Sequence, residues 1–181
     1  MSKIRDHVVD IHYGTSKPAS SDGTIPYLRM NNMTANGRLD FSDLKYITLS
    51  GAELDNCMVK RGDILFNRTN SKEWVGKTAM FDEDELMVIA GYIIRVRLDD
   101  QILPQFLVAY MNLPYMKKHL KSIAKCSVHQ ANINAAEFQN IDIYVPSIEL
   151  QKRFIDIEKQ SDKSKYSLGG QLCLMKQALN R

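Results

Sequence analysis

The strongest constraint on this chain lies in its last fifth. From Pro146-Ser147 onward, Leu150, Phe154, Ile157, Ser161, Ser164 and Leu168 recur in alternating steps of four and three, and Leu172, Met175 and Leu179 extend the series. That spacing draws one stripe along a single helix and predicts a coiled-coil seam with polar residues at its middle. A continuous helix over 147–181 would reach about 50 Å at 1.5 Å per residue, which is long for a small domain. Gly169-Gly170 costs about 1 kcal/mol per residue relative to alanine and predicts a kink or a break there. A seam with no second long helix in the chain needs a partner, and exposing it would cost far more than burying it. The sequence therefore divides into a unit over 1–146 and a dimerisation and spacer helix over 147–181.

The pattern of the first unit changes period along the chain. Val8-Val9-Asp10-Ile11 is extended or helical and runs into a turn-rich stretch from Tyr13 to Pro18. Ile25 to Met30 alternates as a strand, Asn36-Gly37 marks a turn, and Lys60-Arg61-Gly62-Asp63 turns into a small buried strand, Ile64-Leu65-Phe66. Leu86 to Val96 is expected as one apolar strand, and strand alternation puts Arg95 and Arg97 on one face as surface charges. Helices are then expected from Pro104 and from Pro114, since proline favours the first helical position. In the second, Met116, Leu120 and Ile123 mark the packed side, with Lys117, Lys118, Lys121 and Lys125 opposite them. Asn134-Ala135-Ala136-Glu137 carries a capping box, and Ile141, Ile143 and Val145 alternate as a closing strand. The expected fold class is α+β: an irregular, mostly antiparallel β-rich unit with small helices, followed by the long coiled-coil helix.

Several function classes are disfavoured. The chain opens without an apolar signal region, and its longest apolar stretch, Met87 to Ile94, is too short to cross a bilayer, so a cytoplasmic location is expected. Cys57, Cys126 and Cys173 are odd in number and lack ligand spacing, which points to reduced thiols and no metal site. No Gly-x-Gly-x-x-Gly, Walker-type Gly-Lys-Ser/Thr or Asn-Pro-Pro-Tyr-type tetrapeptide is present, and His7, His12, His119 and His129 are scattered, so no catalytic site is expected. The net charge of +3 is mild, but its distribution is uneven. Five basic residues fall between Lys60 and Lys77, and four lysines with no acidic residue fall between Gln101 and Ala136. Either segment suits a solvated face or a phosphate-binding one.

Tyr13-Gly14-Thr15-Ser16-Lys17, Ile25-Pro26-Tyr27-Leu28-Arg29-Met30-Asn31-Asn32-Met33 and Lys60-Arg61-Gly62-Asp63-Ile64-Leu65-Phe66-Asn67-Arg68-Thr69-Asn70 appear in that order. Val75-Gly76-Lys77, Gln130-Ala131-Asn132-Ile133-Asn134 and Val145-Pro146 through Gln151-Lys152-Arg153-Phe154 complete the set. In order and spacing the chain resembles the specificity subunits of type I restriction-modification systems. The resemblance implies a target-recognition domain that reads double-stranded DNA for a methyltransferase subunit and, through the complex, a restriction subunit. It also implies that S-adenosylmethionine, ATP and Mg are held by those partners, with no cofactor here. Members of the family usually carry two recognition domains and two long helices, and this chain has one of each. It thus resembles a half-subunit that forms a homodimer through Leu150, Phe154, Ile157, Leu168, Leu172, Met175 and Leu179, or an excised half of a longer subunit.

The resemblance supplies no fixed residue code, so contact chemistry selects the candidates. Arginine and lysine suit guanine, asparagine and glutamine suit adenine, and hydroxyl and ammonium groups hold phosphates. Arg68, Thr69, Asn70, Ser71 and Lys72 form the preferred polar loop. Ser16, Lys17, Arg29, Asn31, Asn32, Lys77, His129 and Gln130 join it as DNA-binding candidates, with Lys117, Lys121 and Lys125 for backbone phosphates. Asn134 is better explained as a helix cap. The competing reading is a protein-interaction adaptor that uses the long helix and binds no specific DNA.

Overall fold

The computed structural model describes residues 1–128 and 130–161. Its elements in chain order are β1 (Ser2–Lys3), β2 (Val8–Tyr13), β3 (Ile25–Leu28), β4 (Lys45–Ile47), α1 (Gly51–Cys57), β5 (Met58–Val59), β6 (Ile64–Asn67), β7 (Thr69–Asn70) and β8 (Thr78–Met80). These are followed by β9 (Met87–Ile89), β10 (Ile93–Leu98), α2 (Pro104–Asn112), α3 (Pro114–Ile123), β11 (Lys125–Cys126), β12 (Ala131–Asn132), α4 (Ala135–Gln139) and β13 (Asp142–Ile143). The chain divides into two compact units, Met1–Val145 and a second that begins at Pro146. In the second, residues 148–161 are helical. The expected seam positions Ser164, Leu168, Leu172, Met175 and Leu179, and the Gly169-Gly170 break, lie outside the described residues.

Two four-stranded sheets, ordered β2-β10-β6-β8 and β4-β3-β9-β5, dominate the first unit. Pairing is antiparallel throughout them except between β3 and β9, which run parallel with Tyr27 opposite Val88. The alternation of strand side chains explains the core. Met87 and Ile89 of β9 join Leu28, Leu65, Ala79 and Ile93 in a cluster drawn from both sheets. The intervening Val88 points the other way and packs with Ile25, Tyr27, Ile47 and Cys57. On the opposite face of β6, Phe66 meets Phe138 of α4 with ring centroids 4.5 Å apart.

The structure corrects the single strand expected over Leu86 to Val96. A turn at Ala90-Gly91-Tyr92 splits it into β9 and β10, which belong to different sheets. Gly14 is what allows the β2 end to cross there. A Cβ at Gly14 would lie 2.2 Å from the Ile89 carbonyl oxygen, and the Thr15 N–H donates to that same carbonyl at 3.0 Å.

Arg95 and Arg97 do share a face of β10, but they are not surface charges. Arg95 is 1% exposed and Asp63 3%. Arg95 Nη2 meets Asp10 Oδ2 at 2.6 Å, and its Nη1 donates to the Met58 carbonyl at 2.5 Å. Arg97 grips Asp63 with two donors at 2.8 and 3.1 Å and reaches Asp10 at 3.2 Å. Asp63 Oδ2 also accepts from the Lys60 N–H at 2.9 Å, so the same carboxylate shapes the Lys60-to-Asp63 turn. Since Met58 belongs to the second sheet, Arg95 links the two layers through paired, hydrogen-bonded charge.

The helical expectations hold with small shifts. Pro104 and Pro114 open α2 and α3. Asn134 Oδ1 accepts from the Glu137 N–H, and Glu137 Oε2 from the Asn134 N–H, both at 2.9 Å, completing the capping box of α4. The closing strand β13 pairs with β1, placing Ser2 opposite Ile143. Replacing Asp10 with alanine would take from the buried Arg95 the carboxylate it meets at 2.6 Å, so Asp10→Ala is expected to cost about 3–5 kcal/mol in urea unfolding, as when one partner of a buried ion pair is removed. A loss below about 1 kcal/mol would show that the cluster does not hold the sheets.

Candidate nucleic-acid interface

Three adjoining recesses run across one face of the first unit. The largest, about 600 Å³, is lined by Lys17, Tyr27, Arg29, Asn31, Lys45 and Tyr92 among others. It shares Asn31 with a recess of about 340 Å³ that also includes Thr34, Ala35, Asn70, Trp74 and Lys77. That recess in turn shares Ala35, Trp74 and Lys77 with one of about 200 Å³ completed by Glu73, Val75, Lys117 and Lys121. The strand-and-turn segment from β3 to Ala35 supplies one wall, the segment between β7 and β8 the next, and α3 the last.

The charge along this run is unevenly balanced. At the large end each cation has a carboxylate: Lys17 meets Glu53 at 2.5 Å, and Asp43 takes Arg29 at 2.8 Å and Lys45 at 3.6 Å. The Lys17 ammonium and the Thr15 hydroxyl hold the Glu53 carboxyl below its ordinary range. Arg29, helped by Lys45, does the same for Asp43. At the small end the lysines turn to backbone instead. Lys77 Nζ donates to the carbonyls of Met33 at 2.8 Å and Met30 at 3.3 Å and lies 5.5 Å from the Trp74 ring centroid. Lys117 Nζ donates to the Gly76 carbonyl at 3.1 Å. Burial lowers the Lys77 ammonium. It brings Lys117 down to about 8, with like-charge repulsion from Lys121 and Lys77 adding to it.

Gly76 makes that contact possible. Its φ of +82° is a left-handed conformation, and a Cβ there would come within 2.8 Å of Leu120 Cδ1 on α3. The backbone is thus pressed under the helix, and the Val75-Gly76-Lys77 motif acquires a physical meaning. The solvent-facing side expected for α3 is correspondingly altered: Met116 and Leu120 are buried as expected, but the 71–77 segment folds over Lys117 and leaves it only partly exposed.

The remaining candidates separate by how far their polar atoms are committed. Asn32 is 2% exposed; its Oδ1 accepts from the Arg29 N–H and its Nδ2 donates to the Asp40 and Asp43 carbonyls. It holds the loop rather than facing outward. Thr69 is buried and its hydroxyl takes Asn132 Nδ2 at 2.6 Å. With Asn70 it forms β7, which pairs with β12, so the preferred polar loop is partly a strand. Asn70 bonds Asn67 and the Ser71 N–H. Arg68 is half-buried, its guanidinium 4.9 Å from the Tyr13 ring centroid and bonded to the Gly91 carbonyl at 3.3 Å. Lys125, on β11, is paired with Glu137 at 2.6 Å. Ser16, Asn31, Ser71, Lys72, Lys121 and Gln130 are exposed. His129 lies outside the described residues.

Sequence reasoning missed Trp74, Lys45 and Tyr92. An aromatic residue inside a polar, basic stretch was the available signal for Trp74, since a flat ring among cations suits nucleic acid. Asp99, His7 and Ser2 also line up, with His7 3.2 Å from Asp99 and 2.9 Å from the Ser2 hydroxyl. This connectivity is that of a hydrolytic triad, but the Ser2 hydroxyl donates to Asp6 at 3.0 Å and the neighbouring Lys3 N–H is committed to the same carboxylate. A carboxylate there opposes a developing oxyanion, and the arrangement is a structural tie. Among the described residues no helix is long and apolar enough to cross a membrane, and no group of three His, Cys, Asp or Glu side chains could hold a metal ion.

Residues 7–171 match the family model for the type I restriction modification DNA specificity domain. The chain is 25% identical over 144 residues to the type I restriction enzyme EcoKI specificity subunit of Escherichia coli K12, covering 78% of this chain and 31% of that one. It is 24% identical over 164 residues to the putative type I restriction enzyme MjaX specificity subunit of Methanocaldococcus jannaschii, covering 88% and 38%. The chain therefore spans about a third of the length of these curated relatives. The same fold occurs in a solved structure that describes complex assembly and conformational transition of the type I R-M system, with a TM-score of 0.69, 18% identity and coverage of 92% of this chain and 39% of that one. With the match running over most of its length, the chain belongs to the family of type I restriction modification DNA specificity domains.

Proposed function

We propose that the unit Met1–Val145 reads one half of a double-stranded DNA target, on behalf of a methyltransferase subunit that supplies S-adenosylmethionine and a restriction subunit that uses ATP and Mg. The observation that carries this reading is the continuous run of recesses, open along one face and ending in lysines that no carboxylate pairs with among the described residues. Phosphates would supply the missing negative charge, while free amides along the run read base edges. Asn31 suits base reading because it is exposed at the junction of two recesses, and its amide offers the donor and acceptor that match adenine. Gln130 offers a second exposed amide near β12. Arg68, braced against Tyr13, acts in this reading as a support for the surface rather than as its reader.

The helix after Pro146 serves assembly in the same reading. Leu150 and Ile157 are 49% and 65% exposed and stand seven residues apart, on one stripe. A second copy packed antiparallel along that stripe would carry two oppositely oriented recognition units, so the target would be two inverted copies of one half-site.

Selection of bound duplexes from a random pool, with the methyltransferase subunit present, tests the recognition role. The expected result is a defined half-site whose preference at one position relaxes in Asn31→Ala by about 1–3 kcal/mol. Absence of specific duplex binding at every salt concentration would instead favour an adaptor built around the helix. For assembly, the full chain is expected to sediment as a dimer at micromolar concentration and Leu150→Glu with Ile157→Glu as a monomer. A monomeric wild type, or a selected target without inverted symmetry, would overturn the pairing.

A further inference from the structure

Three lysines converge on the smallest recess, and none of them pairs with a carboxylate among the described residues. Lys77 comes from the segment that leads into β8, Lys117 and Lys121 come from α3, and Trp74 forms a wall. Glu73 also lines the recess but pairs with none of the three among the described residues. Lys77 and Lys117 satisfy carbonyls of Met30, Met33 and Gly76, which a neutral donor could do as well. Lys121 is exposed and makes no such contact among the described residues, so its presence adds only charge. Gathering like charges in a partly dry space is unfavourable, and the depressed ammonium of Lys117 records the stress. An anion entering the recess would relieve it.

We propose that this recess seats a single tetrahedral oxyanion, and, resting on the reading of this face as DNA-binding, that its occupant is one backbone phosphate of the duplex. At about 200 Å³ it falls below the roughly 300–1,000 Å³ of cavities that enclose drug-sized ligands, which suits one phosphate group and not a whole nucleotide. Trp74 is shared with the recess that holds Asn31, so a phosphate fixed here sets the register in which that amide meets a base. The seat positions and Asn31 specifies.

Trp74 is the chain's single tryptophan, so emission excited at the red edge, where tyrosine does not absorb, reports on this one side chain. Titration with sulfate, against chloride at matched ionic strength, is expected to give a saturable change in emission with sulfate only. Lys121→Gln should abolish that change, and Lys60→Gln, on the turn before β6, should retain it. Lys117 is faced by Lys121 on its own helix and by Lys77 and Glu73 from the segment packed against it. Its protonated form binds the anion, so affinity is lost as pH rises through about 8. Sulfate keeps its charge over this range, and binding should be about tenfold weaker at pH 9 than at pH 7.

A duplex arm separates the two sources of the anion. With the selected duplex, Lys121→Gln should reduce the slope of log affinity against log salt by about one, equally on specific and random sequences. A Trp74 response to duplex and to sulfate supports a seat used by DNA, and a response to sulfate with an unchanged salt slope assigns the seat to a free oxyanion. If the duplex binds while Trp74 stays silent to both and the slope is unmoved, the seat is overturned and the DNA reading stands. If no duplex binds while sulfate does, the DNA reading fails and the oxyanion seat stands.

Discussion

The unit Met1–Val145 depends on charge buried where its two sheets meet. Arg95 reaches from β10 to the Met58 carbonyl of the opposing layer, while Asp10 and Asp63 neutralise it together with Arg97. A sandwich held by apolar packing alone tolerates sliding of one sheet over the other. A guanidinium has donors in a fixed fork and accepts only a matching arrangement of acceptors, so this cluster also sets the register between layers. Asp63 extends that order to the Lys60-to-Asp63 turn, and through it to β6, the strand whose far end leads into Arg68, Asn70 and Trp74. The outer face is positioned by charge that never reaches it.

That face divides its electrostatic work between two ends. Where Lys17, Arg29 and Lys45 sit, carboxylates of Glu53 and Asp43 already occupy the cations, so a polyanion must compete for them. Where Lys77, Lys117 and Lys121 sit, no such competition exists among the described residues. A surface of this kind attracts a charged backbone at one end and screens it at the other. Under the proposed DNA-reading role, orientation on a duplex would come from the charge gradient before any base is touched.

Much of the local structure was legible because it obeys local rules. The proline-initiated helices, the Asn134–Glu137 capping box and the buried strand over Ile64-Leu65-Phe66 need only neighbouring residues to form. What escaped was set by distant partners. Thr69 and Asn70 looked like a free loop because a two-residue strand has no period, and its mate, Ala131-Asn132, lies some sixty residues away. Helical periodicity placed Lys117 opposite the core correctly, but periodicity cannot announce that the segment carrying Gly76 would fold over it. The alternation of Arg95 with Val96 gave the face and not its burial, since the carboxylates that make burial tolerable come from β2 and from the turn before β6. Of the candidate contacts, residue type pointed to Asn31 and Asn32 alike; only their hydrogen bonds tell them apart.

The pairing of β1 with β13 bears on the order in which the molecule can be made. Ser2 and Lys3 lie opposite Ile143 and Asp142, and the Ile4 N–H donates to the Ile141 carbonyl at 3.0 Å. The first strand of the unit thus waits for the last, and contacts so far apart in sequence are among the slowest to close. During synthesis the sheets can assemble early, but the seam between the two ends of the unit shuts only after Ile143 has left the ribosome, just ahead of the helix that follows Pro146. Translation itself therefore orders the events: the two sheets can form while the chain is still growing, and the unit Met1–Val145 becomes closable only as its own last strand emerges.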